Sequence, residues 1–213
     1  MHRARAWHAL TATVAVAALL LQLVLVVQGG RVLDESGAQP GLEVRLGRLV
    51  SYFTIQSNLL VAVTTAQLAR HPAGDGSVWR VLRVAGVVGI TVTGVVHFLL
   101  LRPLLDLDGA DYAADKLLHM VVPVLAVLGW AVFGPRPRIS GRDVALAICW
   151  PLVWLTWTLA VGALSGWYPY PFLDHREPDG VPGVVASCLG ITAFVLVLFW
   201  LARLVDRRAS VAP

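Results

Sequence analysis

Apolar residues gather into six long runs along the chain, at roughly 7–27, 49–69, 81–101, 112–133, 144–164 and 184–204. Each is about 20 residues long, and at about 1.5 Å of rise per residue such a helix matches a hydrocarbon core of about 30 Å. The runs are apolar all round, with no charged stripe to face water, which suits contact with lipid. The pattern predicts an all-α, polytopic membrane protein. Short connections and the lack of an internal repeat or composition shift predict one bundle of six transmembrane helices, with 1–213 as a single domain.

Composition points the same way. Hydrophobic residues make up 57% of the chain and charged residues 14%, against about 45–50% and about 25% in soluble domains. A formal charge of +4 would otherwise raise the question of nucleic acid, but the charges lie between the apolar runs, so no nucleic-acid partner is expected. Their distribution sets the topology. Eleven of the 17 basic residues, among them Arg70, Arg80, Arg83, Arg138 and Arg207, fall at the N-terminus, in the second and fourth loops and at the C-terminus. The opposite side holds six basic residues and ten acids. Positive-inside bias places both termini in the cytoplasm. Lys116 is the single lysine beside 16 arginines, which points to a GC-rich bacterial genome and so to a bacterial inner membrane. The first run is longer than a signal-peptide core, and QGGRV at 28–32 is a poor cleavage site, so a retained span is expected. Cys149 and Cys188 fall at different depths and are expected as free, buried thiols outside any metal motif.

Inside the membrane, polar residues are few. Ser51, Thr54, Asn58 and Thr65 share one helical stripe of the second span. Small hydroxylated and amide residues commonly glue membrane helices together. His97 shares a face of the third span with Gly86, Gly89 and Thr93, which places it inside the bundle. Asp115 and His119 stand four residues apart in the fourth span, close enough for the carboxylate to orient the imidazole. Pro123 deprives the His119 carbonyl of its usual partner and predicts a bend. Thr54, His97 and His119 come out at one depth, roughly 6–10 Å below the outer surface at about 1.5 Å per residue. Intramembrane ionisable residues are functional candidates by default. In the fifth loop, Trp167, Tyr170, Phe172 and Asp174 belong to WYPYPFLDH, which its two prolines stiffen into a candidate lid or substrate-binding segment. Trp150, Trp154 and Trp157 form a stripe that core packing or lipid contact accounts for.

Three segments, SYFTIQSNLL at 51–60, LLHMVVP at 117–123 and GWYPYPFLDH at 166–175, resemble the androgen-induced gene family. Its animal members are six-span membrane proteins that hydrolyse fatty acid esters of hydroxy fatty acids. The resemblance runs from the second span to the fifth loop. It implies Thr54 as nucleophile and His119 as its partner, although the interval from His119 to Pro123 is one residue shorter than in the animal pattern. The resulting expectation is an intramembrane lipid-ester hydrolase acting on membrane lipids without a cofactor. Thr54 attacks and His119 is the base; spacing within the spans, and not the resemblance, adds Asp115 and His97 as supporting residues and Asn58 as oxyanion donor. Two other readings use the same residues. One is a non-catalytic lipid-binding or transport protein. The other is a haem or metal held by His97 and His119, for which a third ligand is not evident in the sequence.

Overall fold

The computed structural model describes residues 2–29, 40–136 and 138–208. Residues 30–32, part of the segment read as a poor cleavage site, lie outside them. Among the described residues the chain is all-helical, with no strand. Helix α1 spans His2–Gln28, α2 Leu42–Ser51, α3 Phe53–Arg70 and α4 Ser77–Val96. Helix α4 continues through a π turn at His97–Leu101. Helix α5 (Gly109–Lys116) runs through a second π turn, Leu117–Val121, into α6 (Val122–Phe133). Helices α7 (Gly141–Ser165) and α8 (Gly180–Arg208) follow. Five of the described stretches are long and apolar enough to cross a membrane, and the bent pair α2–α3 makes a sixth candidate. These helices mark a membrane protein. Each outruns its apolar stretch in the sequence by a few residues, because polar ends continue the helix beyond the hydrocarbon.

Local chemistry explains where several of them begin and end. Ser140 caps α7 by accepting from the Asp143 N–H while the Asp143 carboxylate takes the Ser140 N–H, a reciprocal capping box. The same helix ends at Gly166 with φ of 71°, a left-handed turn that glycine adopts without steric cost. The second span departs from expectation. It is not one helix from 49 to 69 but two, meeting at an extended Tyr52 and bent by 67°. The break leaves α2 carbonyls without helical partners, and distant side chains satisfy them. Gln56 donates to Val50 O at 3.0 Å and Trp154 Nε1 to Ser51 O at 2.9 Å. Ser51 therefore leaves the polar stripe it was expected to share with Thr54 and bonds back to Gly47 O.

Helix α4 is the axis of the bundle, buried on most of its circumference between α3, α6, α7 and α8. Its glycines permit this. A Cβ at Gly86 would stand 3.2 Å from Leu60 Cβ, and one at Gly89 would stand 2.7 Å from the Trp150 ring. Trp150 and Trp154 pack inward on Phe53, whereas Trp157 is exposed to the lipid side, so the tryptophan stripe does both jobs foreseen for it. Both cysteines are free, but neither is buried as expected: Cys149 is exposed on α7 and Cys188 is half-buried on α8. Contacts gather one end of the bundle. Arg5 reaches Arg70 O, Arg138 reaches Gly74 O, and the Asp206 carboxylate accepts from the N–H groups of Arg138 and Ile139. The described ends of α1 and α8 thus share the basic end, and the loop carrying Tyr170 lies at the other.

Candidate functional site

The break at Tyr52 decides where Thr54 stands. Helix α3 starts afresh at Phe53, so Thr54 occupies the first turn, where backbone N–H groups lack intrahelical acceptors. Its side chain is buried, and its Oγ lies 3.2 Å from His119 Nε2. The pairing that the sequence placed at a common depth is thus within hydrogen-bond distance. His119 sits in the π turn Leu117–Val121, two residues after its start. Pro123 produces that widened turn in place of a simple kink, with Val122 N–H reaching back to Leu117 O. Gly94 lets α4 approach this turn: a Cβ there would stand 3.2 Å from His119 O and 3.3 Å from Pro123 Cβ.

Hydrogen bonding fixes the imidazole's tautomer. His119 Nδ1 is 3.0 Å from Asp115 O and 3.1 Å from Asp115 Oδ1, and both are acceptors. Nδ1 therefore carries the proton, and Nε2 turns a lone pair toward the Thr54 hydroxyl. The Asp115 carboxylate is buried and its charge is met by Lys116, 2.8 Å from Oδ2. His97 is buried beside it. Its Nε2 stands 2.7 Å from Asp115 Oδ1, at ion-pair distance but off the axis of a hydrogen bond. Asp115 thus holds both histidines, and Thr54, His97, Asp115 and His119 come together as one cluster.

Asn58 does not take the place expected of it. Its amide donates to Thr54 O at 2.8 Å and to Leu118 O at 3.2 Å. Reversing the amide would set its oxygen against two carbonyl oxygens, so its N–H groups are spent on tying α3 to the His119 segment. That removes Asn58 as an oxyanion donor. Tyr170 supplies a group that sequence spacing missed in this role. Its buried hydroxyl lies 3.4 Å from both Thr54 N and Thr54 Oγ. Burial pushes the Tyr170 phenol above its ordinary value, so it carries its proton at neutral pH. The short helical turn Pro171–Leu173 and stacking on Phe172 fix the ring.

The rest of the loop divides. Phe172 lines the cavity beside Thr54, as a lid residue should. Trp167 instead packs edge-on against Tyr52, 5.8 Å between centroids. Asp174 turns away and pairs with Arg176, which also donates to Gly166 O, so it frames the loop rather than contacting the site. That pairing holds the Asp174 carboxyl below its ordinary range.

Two spaces meet at Thr54. A cavity of about 190 Å³ runs between α4, α7 and α8 and is almost wholly apolar, with Val92, Ile148, Leu155 and Val195 in its wall. A smaller one of about 40 Å³ lies on the other side, against Gln22, Asp115 and His119. Thr54, His97, Leu101 and Tyr170 border both.

A metal is the remaining chemistry to test against this geometry. One ligand atom each of His97, Asp115 and His119 falls within 4.8 Å of the others. The rings, however, are stacked, 3.9 Å between centroids and 13° from parallel. Imidazole lone pairs lie in the ring plane, so stacked rings aim them along separate planes. No point about 2.0–2.1 Å from a nitrogen of each is in line with both. The same stacking prevents the two histidines from flanking a haem iron. The bis-histidine reading therefore does not fit these residues. Comparison with known proteins finds no match to the chain among protein-family profiles, curated proteins or solved structures.

Proposed function

We propose that this protein is an intramembrane lipid-ester hydrolase with Thr54 as nucleophile and His119 as general base. The observation that carries the reading is the Thr54 Oγ to His119 Nε2 contact of 3.2 Å, with Nδ1 engaged by Asp115 on the far side of the ring. A nucleophile, a base within reach and a third group orienting the base form the arrangement that activates a hydroxyl.

In this account the acyl arm of the ester lies in the apolar cavity, the alcohol arm in the smaller space, and the carbonyl at Thr54 between them. Thr54 Oγ bonds to the carbonyl carbon while its proton passes to His119 Nε2. Asp115 favours the imidazolium that results. The oxyanion takes a hydrogen bond from the Tyr170 hydroxyl and, as that phenol turns to it, from the Thr54 N–H that the phenol holds, at the start of α3 where the helix dipole also favours negative charge. Collapse breaks the bond to the alkoxy oxygen, which leaves as alcohol with the proton from His119. Water then attacks the acyl-threonine with His119 again as base, releasing the carboxylic acid and restoring the Thr54 hydroxyl. His97 packs against the base and against Asp115, which makes it a positioning residue.

The same reading takes α2–α3 as one broken span, giving six crossings with both termini in the cytoplasm of a bacterial cell. The site then faces the outer leaflet. Covalent labelling by a fluorophosphonate probe tests the chemistry. Wild type takes the label and Thr54→Ala does not. A protein that takes no label and cleaves no lipid ester is instead a lipid-binding or transport protein using the same pocket.

A further inference from the structure

A second buried polar group lies at the basic end of the bundle. Arg83 was counted from the sequence among the loop charges, but it is the seventh residue of α4 and is only 4% exposed. It stands fourteen residues before His97, about 21 Å along a helix axis at about 1.5 Å per residue. None of its three guanidinium nitrogens has a hydrogen-bond partner, and no carboxylate among the described residues pairs with it. Its neighbour Arg80, by contrast, is partly exposed and pairs twice with Asp75, at 2.7 and 3.0 Å. A second buried nitrogen on this face lacks a partner. Trp79 lies one turn earlier on the same face of α4, and its indole Nε1 is unpaired.

Guanidinium cannot shed its proton in a protein, and an unpaired charge held out of water is strongly destabilising. Buried polar groups in native proteins have partners with few exceptions. Arg83 and Trp79 offer donors only, so the missing partner is an acceptor, and the fixed charge of Arg83 requires it to be an anion. A planar fork joined by a further donor one turn away suits a tetrahedral oxyanion with several oxygens. The depth agrees, since Trp79 and Arg83 lie within the first two turns of α4, about where headgroups meet a helix end.

We propose that Arg83 and Trp79 form a phosphate-binding site at the basic end of the bundle, separate from the Thr54 cluster. The phosphate belongs to an anionic phospholipid headgroup or to a free phosphate ion. Binding there neutralises the buried guanidinium. The nitrogens are closed from solvent, so entry requires the Arg83 side chain to rotate. Bound anion is therefore expected to leave slowly.

The test is thermal unfolding of delipidated protein in detergent, followed by circular dichroism and titrated with three probes. These are short-chain phosphatidylglycerol, inorganic phosphate and the matching diacylglycerol, which lacks phosphate. Phosphatidylglycerol should raise the Tm of wild type saturably and diacylglycerol should not. Arg83→Gln should weaken that binding at least tenfold, and without ligand should unfold no lower than wild type, because it loses an unpaired buried charge. Trp79→Phe keeps the ring packing, removes one donor and should weaken binding by a smaller factor; it carries the comparison if Arg83→Gln does not fold. An equal saturable shift from inorganic phosphate assigns the site to the soluble ion, and a shift from phosphatidylglycerol alone assigns it to lipid. Wild type that responds to neither phosphate-bearing probe overturns the proposal. So does a response of equal affinity in wild type and both variants.

Discussion

Replacing Tyr170 by Phe separates two roles that the ring and the hydroxyl perform. The ring packs against Tyr52, Trp154 and Phe172 at centroid distances of 5.7, 6.0 and 5.2 Å, and Phe keeps all three contacts. The lost hydroxyl sits 3.4 Å from Thr54 N and from Thr54 Oγ, the outer limit of a hydrogen bond. Its contribution to stability therefore belongs at the low end of the usual range of about 0.5–1.5 kcal/mol. In the transition state the carbonyl oxygen becomes an oxyanion, and removing one donor from such a site costs about 10²–10³ in kcat, or about 2.7–4 kcal/mol. The expected signature is a small fall in Tm with a fall in kcat of at least a hundredfold, read by hydrolysis of a chromogenic long-chain ester in detergent. Asn58→Ala is the contrasting variant. It strips donors from Thr54 O and Leu118 O, so it should lower stability by about 1–3 kcal/mol. The folded fraction should keep kcat within about tenfold of wild type, since Asn58 does not face the oxyanion. A Tyr170→Phe protein that turns over as fast as wild type refutes the assignment of the phenol. A hundredfold loss in Asn58→Ala with unchanged Tm would return the role to Asn58.

Three further outcomes follow from the geometry. Asp115→Asn should slow ester hydrolysis by about 10²-fold, less than the about 10⁴ known where such a change also reverses the tautomer, because Asp115 O still holds Nδ1–H; unchanged kinetics would remove Asp115 from the mechanism. Gly94→Ala sets a methyl against His119 O and Pro123, which are backbone and ring atoms that cannot rotate away. It should lower Tm by the equivalent of about 1–3 kcal/mol and depress kcat with it, and a neutral result would show that the two helices are free to separate. A periplasm-active reporter fused at Pro213, which lies outside the described residues, should stay inactive; activity there would reverse the proposed orientation.

Much of the fold and part of the site could be read from the chain because they depend on local pattern. Apolar length gave the helices, and the Gly86, Gly89, Thr93, His97 face marked α4 as the closely packed one. The four-residue step from Asp115 to His119 encodes their contact within one stretch of helix. What escaped depends on partners far away in sequence. No glycine or proline marks the break at Tyr52. It persists because Trp154, 103 residues on, satisfies Ser51 O, and because Tyr52 packs under Trp167. Asn58 looked like a donor to substrate, but the Leu118 carbonyl, 60 residues away, claims its amide. Tyr170 reaches Thr54 across 116 residues, so its loop read as a lid or substrate-binding segment and not as a source of an oxyanion donor. Arg83 read as a loop charge because its apolar run was drawn to begin near it, whereas the helix starts at Ser77 and carries it inside.

The most direct measurement is in-gel detection of a fluorescent fluorophosphonate on purified wild type, Thr54→Ala, Thr54→Ser and His119→Ala, each shown by gel filtration to be folded. The account predicts one label on wild type at Thr54, a reduced but present label on Thr54→Ser, and none on the other two. Lipid-ester hydrolysis should follow the same order. Labelling and hydrolysis that persist equally in Thr54→Ala would contradict it and place the nucleophile elsewhere, with the buried, unpaired hydroxyl of Ser57 and the Ser51 hydroxyl, which donates to Gly47 O, next to examine.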